Sequence, residues 1–160
     1  MAADLPAASR RLLASLPELL AEVRHFPEGT KTAEDAAAAI GCPVSAIVKS
    51  LVFVVADGDS AQPVVALVPG DRRLDTAKLA VAADRQGSRR ATLEEVREAT
   101  GYAAGGTPPF GHAHELKVFA DPSLRRNDPV WAAAGTPTTV FPISLTDLNR
   151  LAAPLWADLT

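Results

Sequence analysis

The chain has 160 residues, of which 48% are hydrophobic and 22% are charged, as is typical of a soluble globular protein. This length predicts a single domain over residues 1–160. The formal net charge of -3 argues against a protein that coats nucleic acid by bulk charge, although a local basic patch stays compatible with it. With Cys42 as the single cysteine, no intramolecular disulfide can form.

The first predicted element is helical. Apolar residues recur at helical spacing from Leu12 to Val23, and Pro17 predicts a kink or a restart inside that pattern. The stretch lacks the uninterrupted apolar run of a signal peptide or a membrane span, so we predict a cytoplasmic protein without a membrane partner. A second helix is predicted from its cap at Thr32 to its end at Gly41.

A β-hairpin is predicted next. The run IVKSLVFVVADGD is typical of a strand that ends in an Asp57-Gly58 turn, and PVVALVPGD supplies its partner. Two helices follow, in LDTAKLAVAAD and in TLEEVREATG, where Thr92 and Glu95 fit a capping box. Short strands are predicted in LKVFAD and TTVFPIS, and a last helix in SLTDLNRLAAPL.

The order of these elements indicates the fold class. Strands do not alternate regularly with helices, which disfavours a doubly wound parallel sheet. We therefore predict an α/β fold of the α+β type. A mixed, mostly antiparallel sheet would be surrounded by helices.

Lys49 interrupts an apolar run in the first hairpin strand. Burial of an unpaired ammonium is costly, so one interpretation places Lys49 at the start of the strand with its head group in water. The alternative is a cation at the floor of a cleft, available to a phosphate, a carboxylate or a carbonyl oxygen.

The segment GYAAGGTPPFGH, residues 101–112, concentrates residues that restrict or free the backbone: Gly101, Gly105, Gly106, Pro108, Pro109 and Gly111. Its spacing fits neither a dinucleotide fingerprint nor a lysine-containing phosphate loop. A stiff loop with little side-chain cover can point bare N–H groups into a cleft, as an oxyanion requires. A tight connector between a helix and a strand is the alternative interpretation.

The other polar candidates give weaker signals. His112 and His114 have no third ligand nearby in the sequence, so we predict surface histidines and no metal site. Cys42 is predicted to be a buried structural thiol, since no histidine is placed to activate it. A basic group could follow a phosphate backbone or form a solvated face; its members are Arg72, Arg73, Arg89 and Arg90.

Four motifs together resemble the YbaK family, also called the prolyl-tRNA editing-domain family. They are IVKSLVF, LVPGDRRLDTAKLA, TGYAAGGTPPFGH and VWAAAGTPTTVFPIS, and the resemblance extends over roughly residues 26–151. It implies a barrel-like mixed sheet and hydrolysis, without a cofactor, of the ester between a wrong amino acid and the 3′ end of tRNA. The tRNA and a synthetase are the implied partners.

The resemblance also implies roles for single residues. Lys49 corresponds to the family's lysine, and its G-x-x-x-P loop runs from Gly105 to Pro109 through Gly106, Thr107 and Pro108. We expect Lys49 and Gly105 to be catalytic. The remaining loop residues, with Gly111, are expected to bind the substrate.

A second loop of the family corresponds to Gly135 and Thr136, which are also expected to bind the substrate, as is Phe26. The branch of the family that selects cysteine has a tyrosine near the position of Phe26 and an acidic residue near Val140. Both are absent here. We therefore expect alanine or another small residue at least as much as cysteine.

Overall fold

The computed structural model describes residues 5–14, 16, 18, 22–30 and 32–160. Among these residues the chain forms five helices, α1 to α5: Ala7–Leu13, Ala33–Ile40, Thr76–Ala82, Leu93–Thr100 and Leu145–Ala152. The strands β1 to β8 are Arg24–His25, Val48–Asp57, Ser60–Pro69, Gly87–Arg90, Val118–Ala120, Val130–Ala133, Thr139–Ile143 and Leu155–Trp156.

The predicted helix caps are present. The Thr92 hydroxyl accepts a hydrogen bond from the Glu95 N–H, and the Glu95 side chain accepts one from the Thr92 N–H. Gly41 and Gly101 end their helices in the left-handed conformation. The prediction for the N-terminus holds in part, because α1 is shorter than its apolar pattern and Pro17 lies outside the described residues.

The strands form two sheets, in the order β1-β7-β6 and β4-β2-β3-β5-β8. Four of the six pairings are antiparallel, while β5 pairs in parallel with both β3 and β8. This confirms the mixed, mostly antiparallel α+β fold. The two sheets are linked by a bridge between Ile47 and Trp131, and within the described ranges they do not close into a barrel.

The β2–β3 hairpin organises the molecule. Ten residue pairs, from Val48 with Pro69 to Asp57 with Ser60, join its strands. One face of β2 packs into a cluster with Leu79 and Phe119, and the other contributes Val52 and Val54 to the main core. Lys49 therefore lies near the start of a rigid strand, next to the point where the sheets meet.

None of the helices in the described part of the chain combines the length and the apolar run that crossing a bilayer requires.

Candidate active site

A cavity of about 220 Å³ is lined by residues of both sheets and of the glycine-rich segment. Four of the residues predicted from the sequence line it together: Lys49, Arg90, Gly105 and Thr107. These residues are far apart in the chain. The fold therefore places a cation, a guanidinium and part of the G-x-x-x-P loop around one space.

Lys49 is half-buried in β2, and its Nζ donates a hydrogen bond to the carbonyl oxygen of Arg72 at 2.5 Å. Burial lowers the pKa of the Lys49 ammonium, while the carboxylates of Glu34 and Asp71 act in the opposite direction. An ammonium has three donors, so the bond to Arg72 leaves two for a ligand. Lys49 can therefore hold a phosphate or a carbonyl oxygen.

Two residues of the G-x-x-x-P loop, Gly105 and Thr107, line this cavity. Gly105 has a φ of +84°, and the Gly106 N–H donates back to the Ala103 carbonyl at 3.0 Å. The N–H groups of Gly105 and Thr107 have no hydrogen-bond acceptor among the residues that the structure describes. Since both residues line the cavity, their N–H groups are the candidate oxyanion donors, whereas that of Gly106 is already used.

Gly106 instead packs against the backbone of the second loop, at Thr136. A Cβ placed on Gly106 would lie 2.6 Å from the Cα of Thr136, which is too close for any side chain. The Thr136 hydroxyl is in turn 2.8 Å from the Thr139 hydroxyl, which is 2.9 Å from that of Ser9 in α1. Thr136 thus supports the cavity from behind, while Thr139 lines it.

The four predicted basic residues do not form one surface. Lys49 and Arg90 also line a second cavity of about 620 Å³, together with Arg72 and Arg73. Neighbouring residues of a strand point to opposite faces, and Arg89 is held by Glu95 in two hydrogen bonds of 2.8 and 2.9 Å. This contact lowers the pKa of Glu95 to about 2.

Other predicted site residues stand outside the wall of the smaller cavity: Phe26, Gly106, Pro108, Pro109, Gly111, Gly135 and Thr136. Phe26 donates its N–H to the Thr138 carbonyl at 2.8 Å, beside the second loop. Two of them, Pro109 and Gly111, line a separate cavity, and the expectation that these residues bind the substrate stays a prediction.

The histidines differ from each other. His114 is exposed, as expected, but His112 is half-buried, with its Nε2 2.7 Å from the Pro108 carbonyl oxygen, so the prediction of a surface residue was wrong for it. Burial raises the pKa of the Cys42 thiol. Within the described ranges, no three His, Cys, Asp or Glu side chains lie close enough together to hold a metal ion.

Sequence reasoning missed several wall residues, among them Ser50, Trp131 and Thr139. The Ser50 hydroxyl is buried and has no hydrogen-bond partner in the part of the chain that the structure describes. A strand was not predicted at 130–133, although its residues were part of a recognised motif. The pairing of β6 with β7 and the bridge between Trp131 and Ile47 place Trp131 in the wall of the cavity.

The sequence profile of the aminoacyl-tRNA editing domain family matches residues 27–151. The chain belongs to this family. Its editing domains are hydrolases that act on mischarged aminoacyl-tRNA, so a tRNA ester is the class of substrate. The lysine and the loop donors described above lie within the matched region.

The editing domain also resembles a solved structure over nearly its whole length. That structure, "Crystal structure of a putative trans-editing enzyme for prolyl tRNA synthetase", superposes with a TM-score of 0.88 at 39% identity. The match covers 98% of this chain and 99% of the other.

Two curated relatives differ in how much of their own length matches this chain. A proline–tRNA ligase of Nitratidesulfovibrio vulgaris is 38% identical over 82% of this chain but only 22% of its own length. The "Putative Cys-tRNA(Pro)/Cys-tRNA(Cys) deacylase EbsC" of Enterococcus faecalis is 31% identical over 69% of this chain and 65% of its own. The editing domain thus corresponds to a minor part of the ligase.

Proposed function

We propose that this chain is a trans-acting deacylase that hydrolyses the ester of tRNA-Pro mischarged with alanine, cysteine or another small amino acid. It would act in the cytoplasm as one domain over residues 1–160, on substrate released by an aminoacyl-tRNA synthetase. The observation that carries the proposal is the cavity that Lys49 shares with Gly105 and Thr107, whose N–H groups have no acceptor among the described residues. The near-complete match to a trans-editing structure supports action in trans.

In the proposed reaction, water attacks the acyl carbon of the ester. The developing oxyanion accepts hydrogen bonds from the Gly105 and Thr107 N–H groups, and Lys49 holds the substrate by charge. The ester C–O bond then breaks, and the released tRNA hydroxyl receives the proton that the water lost. The vicinal hydroxyl of the tRNA or a second water carries that proton, so the protein supplies position and electrostatics.

The size of the cavity supports a small acyl group. Its volume of about 220 Å³ is below the ~300–1,000 Å³ of pockets that enclose drug-sized ligands. Val140 and Thr139 form part of the wall, where a cysteine-selective site would have an acidic residue. The nucleotide part of the substrate would then extend into the larger cavity that Lys49 and Arg90 share.

The test is a deacylation assay with tRNA-Pro charged with alanine, cysteine, serine or proline. We expect release of at least one wrong amino acid, with Pro-tRNA-Pro left intact. Folded protein that clears none of a full amino-acid panel would contradict the proposal. Tight binding of charged tRNA without turnover would instead indicate a binding module of the same fold, and equal rates on amino-acid methyl esters a small-molecule hydrolase.

The basic residues yield a prediction with a matched control. Arg90→Gln should weaken tRNA binding and lower the slope of log K against log salt by about 0.7–0.9, the change expected for the loss of one phosphate contact. Arg89→Gln should leave both unchanged, because Arg89 is held by Glu95 away from the two cavities. Binding titrations over a salt series measure the two effects. Equal losses in both variants would contradict the prediction that Arg90 contacts the tRNA and Arg89 does not.

A further inference from the structure

The two halves of the G-x-x-x-P loop are held in different ways. The first half folds back on the Ala103 carbonyl, which accepts from the Gly106 N–H and from the Thr107 hydroxyl at 3.2 Å. The second half contains Pro108 and Pro109, which have no N–H to donate. Its two prolines therefore cannot tie it to the rest of the chain through backbone donors.

One hydrogen bond reaches this second half. Among the described residues, the single hydrogen bond to residues 108–111 joins Nε2 of His112 to the Pro108 carbonyl oxygen, at 2.7 Å. A carbonyl oxygen can only accept, so Nε2 carries the proton. The ring of Phe110 packs edge-on against that of Phe141, with ring centroids 6.0 Å apart, but this contact involves no atom of the Pro108 carbonyl.

His112 is placed to act on the loop and not on the substrate. It lines a separate cavity behind the loop, with Pro109 and Gly111, and is absent from the wall that contains Lys49. Burial also lowers the pKa of the imidazole, which favours the neutral ring at neutral pH.

We propose that His112 is a positioning residue for deacylation, whose Nε2–H fixes the Pro108 carbonyl and thereby aims the Gly105 and Thr107 N–H groups at the oxyanion. This inference rests on the proposed function. The link between the two ends of the loop is short, since Pro108 follows Thr107 directly. The rigid proline pair transmits the position of the carbonyl to the donors.

The experiment compares two variants of His112 with one of His114. His112→Phe keeps a ring but loses the donor, whereas His112→Gln keeps a donor near the Nε2 position. His112→Phe should lower kcat about 10- to 100-fold, because a misplacement of about 1 Å at reacting groups costs up to ~10²-fold. KM should change less than about twofold, since the lost interaction acts in the transition state. His112→Gln should recover most of kcat, and His114→Phe should match the wild type.

Amide hydrogen exchange over residues 101–111 supplies a second readout that needs no activity. His112→Phe should speed exchange in this segment, while His112→Gln and His114→Phe should not. An unchanged kcat in active His112→Phe overturns the proposal, as does a kcat that falls equally in His112→Gln. If the wild type hydrolyses no charged tRNA, the proposed function fails. Unchanged amide exchange in His112→Phe would separately overturn the proposal that the hydrogen bond from His112 fixes the loop.

Discussion

Lys49→Met should lower kcat/KM for the preferred mischarged tRNA by about 10²- to 10³-fold, the usual cost of removing one preorganised electrostatic contact in an active site. Methionine keeps the apolar length of the lysine stem and removes the ammonium. The effect should be large because Lys49 lines both the smaller cavity and the neighbouring basic one. Single-turnover rates with saturating enzyme would separate the chemical step from binding.

A control must separate this role from the bond between Lys49 and the Arg72 carbonyl. Lys49→Arg retains a charge and a donor for that carbonyl, but it presents a planar fork in place of a point charge. It should therefore keep the fold and lose much of the rate. Lys78→Met, which removes a partly exposed lysine paired with Asp158 outside both cavities, should leave the rate unchanged. Near-wild-type turnover by folded Lys49→Met would contradict the role given to the lysine.

The parts of the fold that were predicted correctly depend on local chemistry. Thr92 and Glu95 stabilise the start of α4 through bonds within one turn, and Gly101 ends it with a conformation that glycine adopts without strain. The β2–β3 hairpin is also local, since its two strands are joined by two residues. Such features need no knowledge of the rest of the chain.

The parts that were missed depend on distant partners. Strand β4 has the sequence GSRR, which has little intrinsic strand propensity, and it is extended because it pairs with Phe53 to Ala56 of β2. Strands β1 and β8 have two residues each, too few for any periodic pattern. The short β6, VWAA, is stabilised by four pairs with β7.

The candidate site also has features that the local sequence predicts and features that depend on distant residues. A lysine in an apolar strand and a cluster of glycines were visible in the sequence as candidates, and the family resemblance implied the catalytic roles of Lys49 and Gly105. That the Gly106 N–H is used within the loop depends on a backbone conformation that composition does not specify. The separation of Arg89 from Arg90 likewise needs the register of β4 on β2.

Gly106→Ala should also abolish most of the activity, although it adds a single methyl group and removes no hydrogen-bond donor. The new Cβ would lie 2.6, 2.8 and 2.9 Å from the Cα, C and N atoms of Thr136. These are backbone atoms, so no side chain can rotate away, and the two loops must separate. Overpacking of this kind costs about 1–3 kcal/mol of stability. The accompanying shift of the Gly105 and Thr107 donors should lower kcat about 10²-fold.

Gly87→Ala is the matched control, because its added Cβ would meet no atom within 4 Å and Gly87 has no positive φ. Denaturant unfolding and kcat of the two variants should therefore differ sharply, with Gly87→Ala close to the wild type in both. The comparison of Gly106→Ala with Gly87→Ala also tests whether the hydrogen-bonded hydroxyls of Thr136, Thr139 and Ser9 hold the second loop in place. If Thr136 is held by Thr139 and Ser9, it cannot yield to the methyl group, and the displacement must fall on the G-x-x-x-P loop. Wild-type kcat in Gly106→Ala would mean that the second loop moves instead, and that the loop donors do not depend on it.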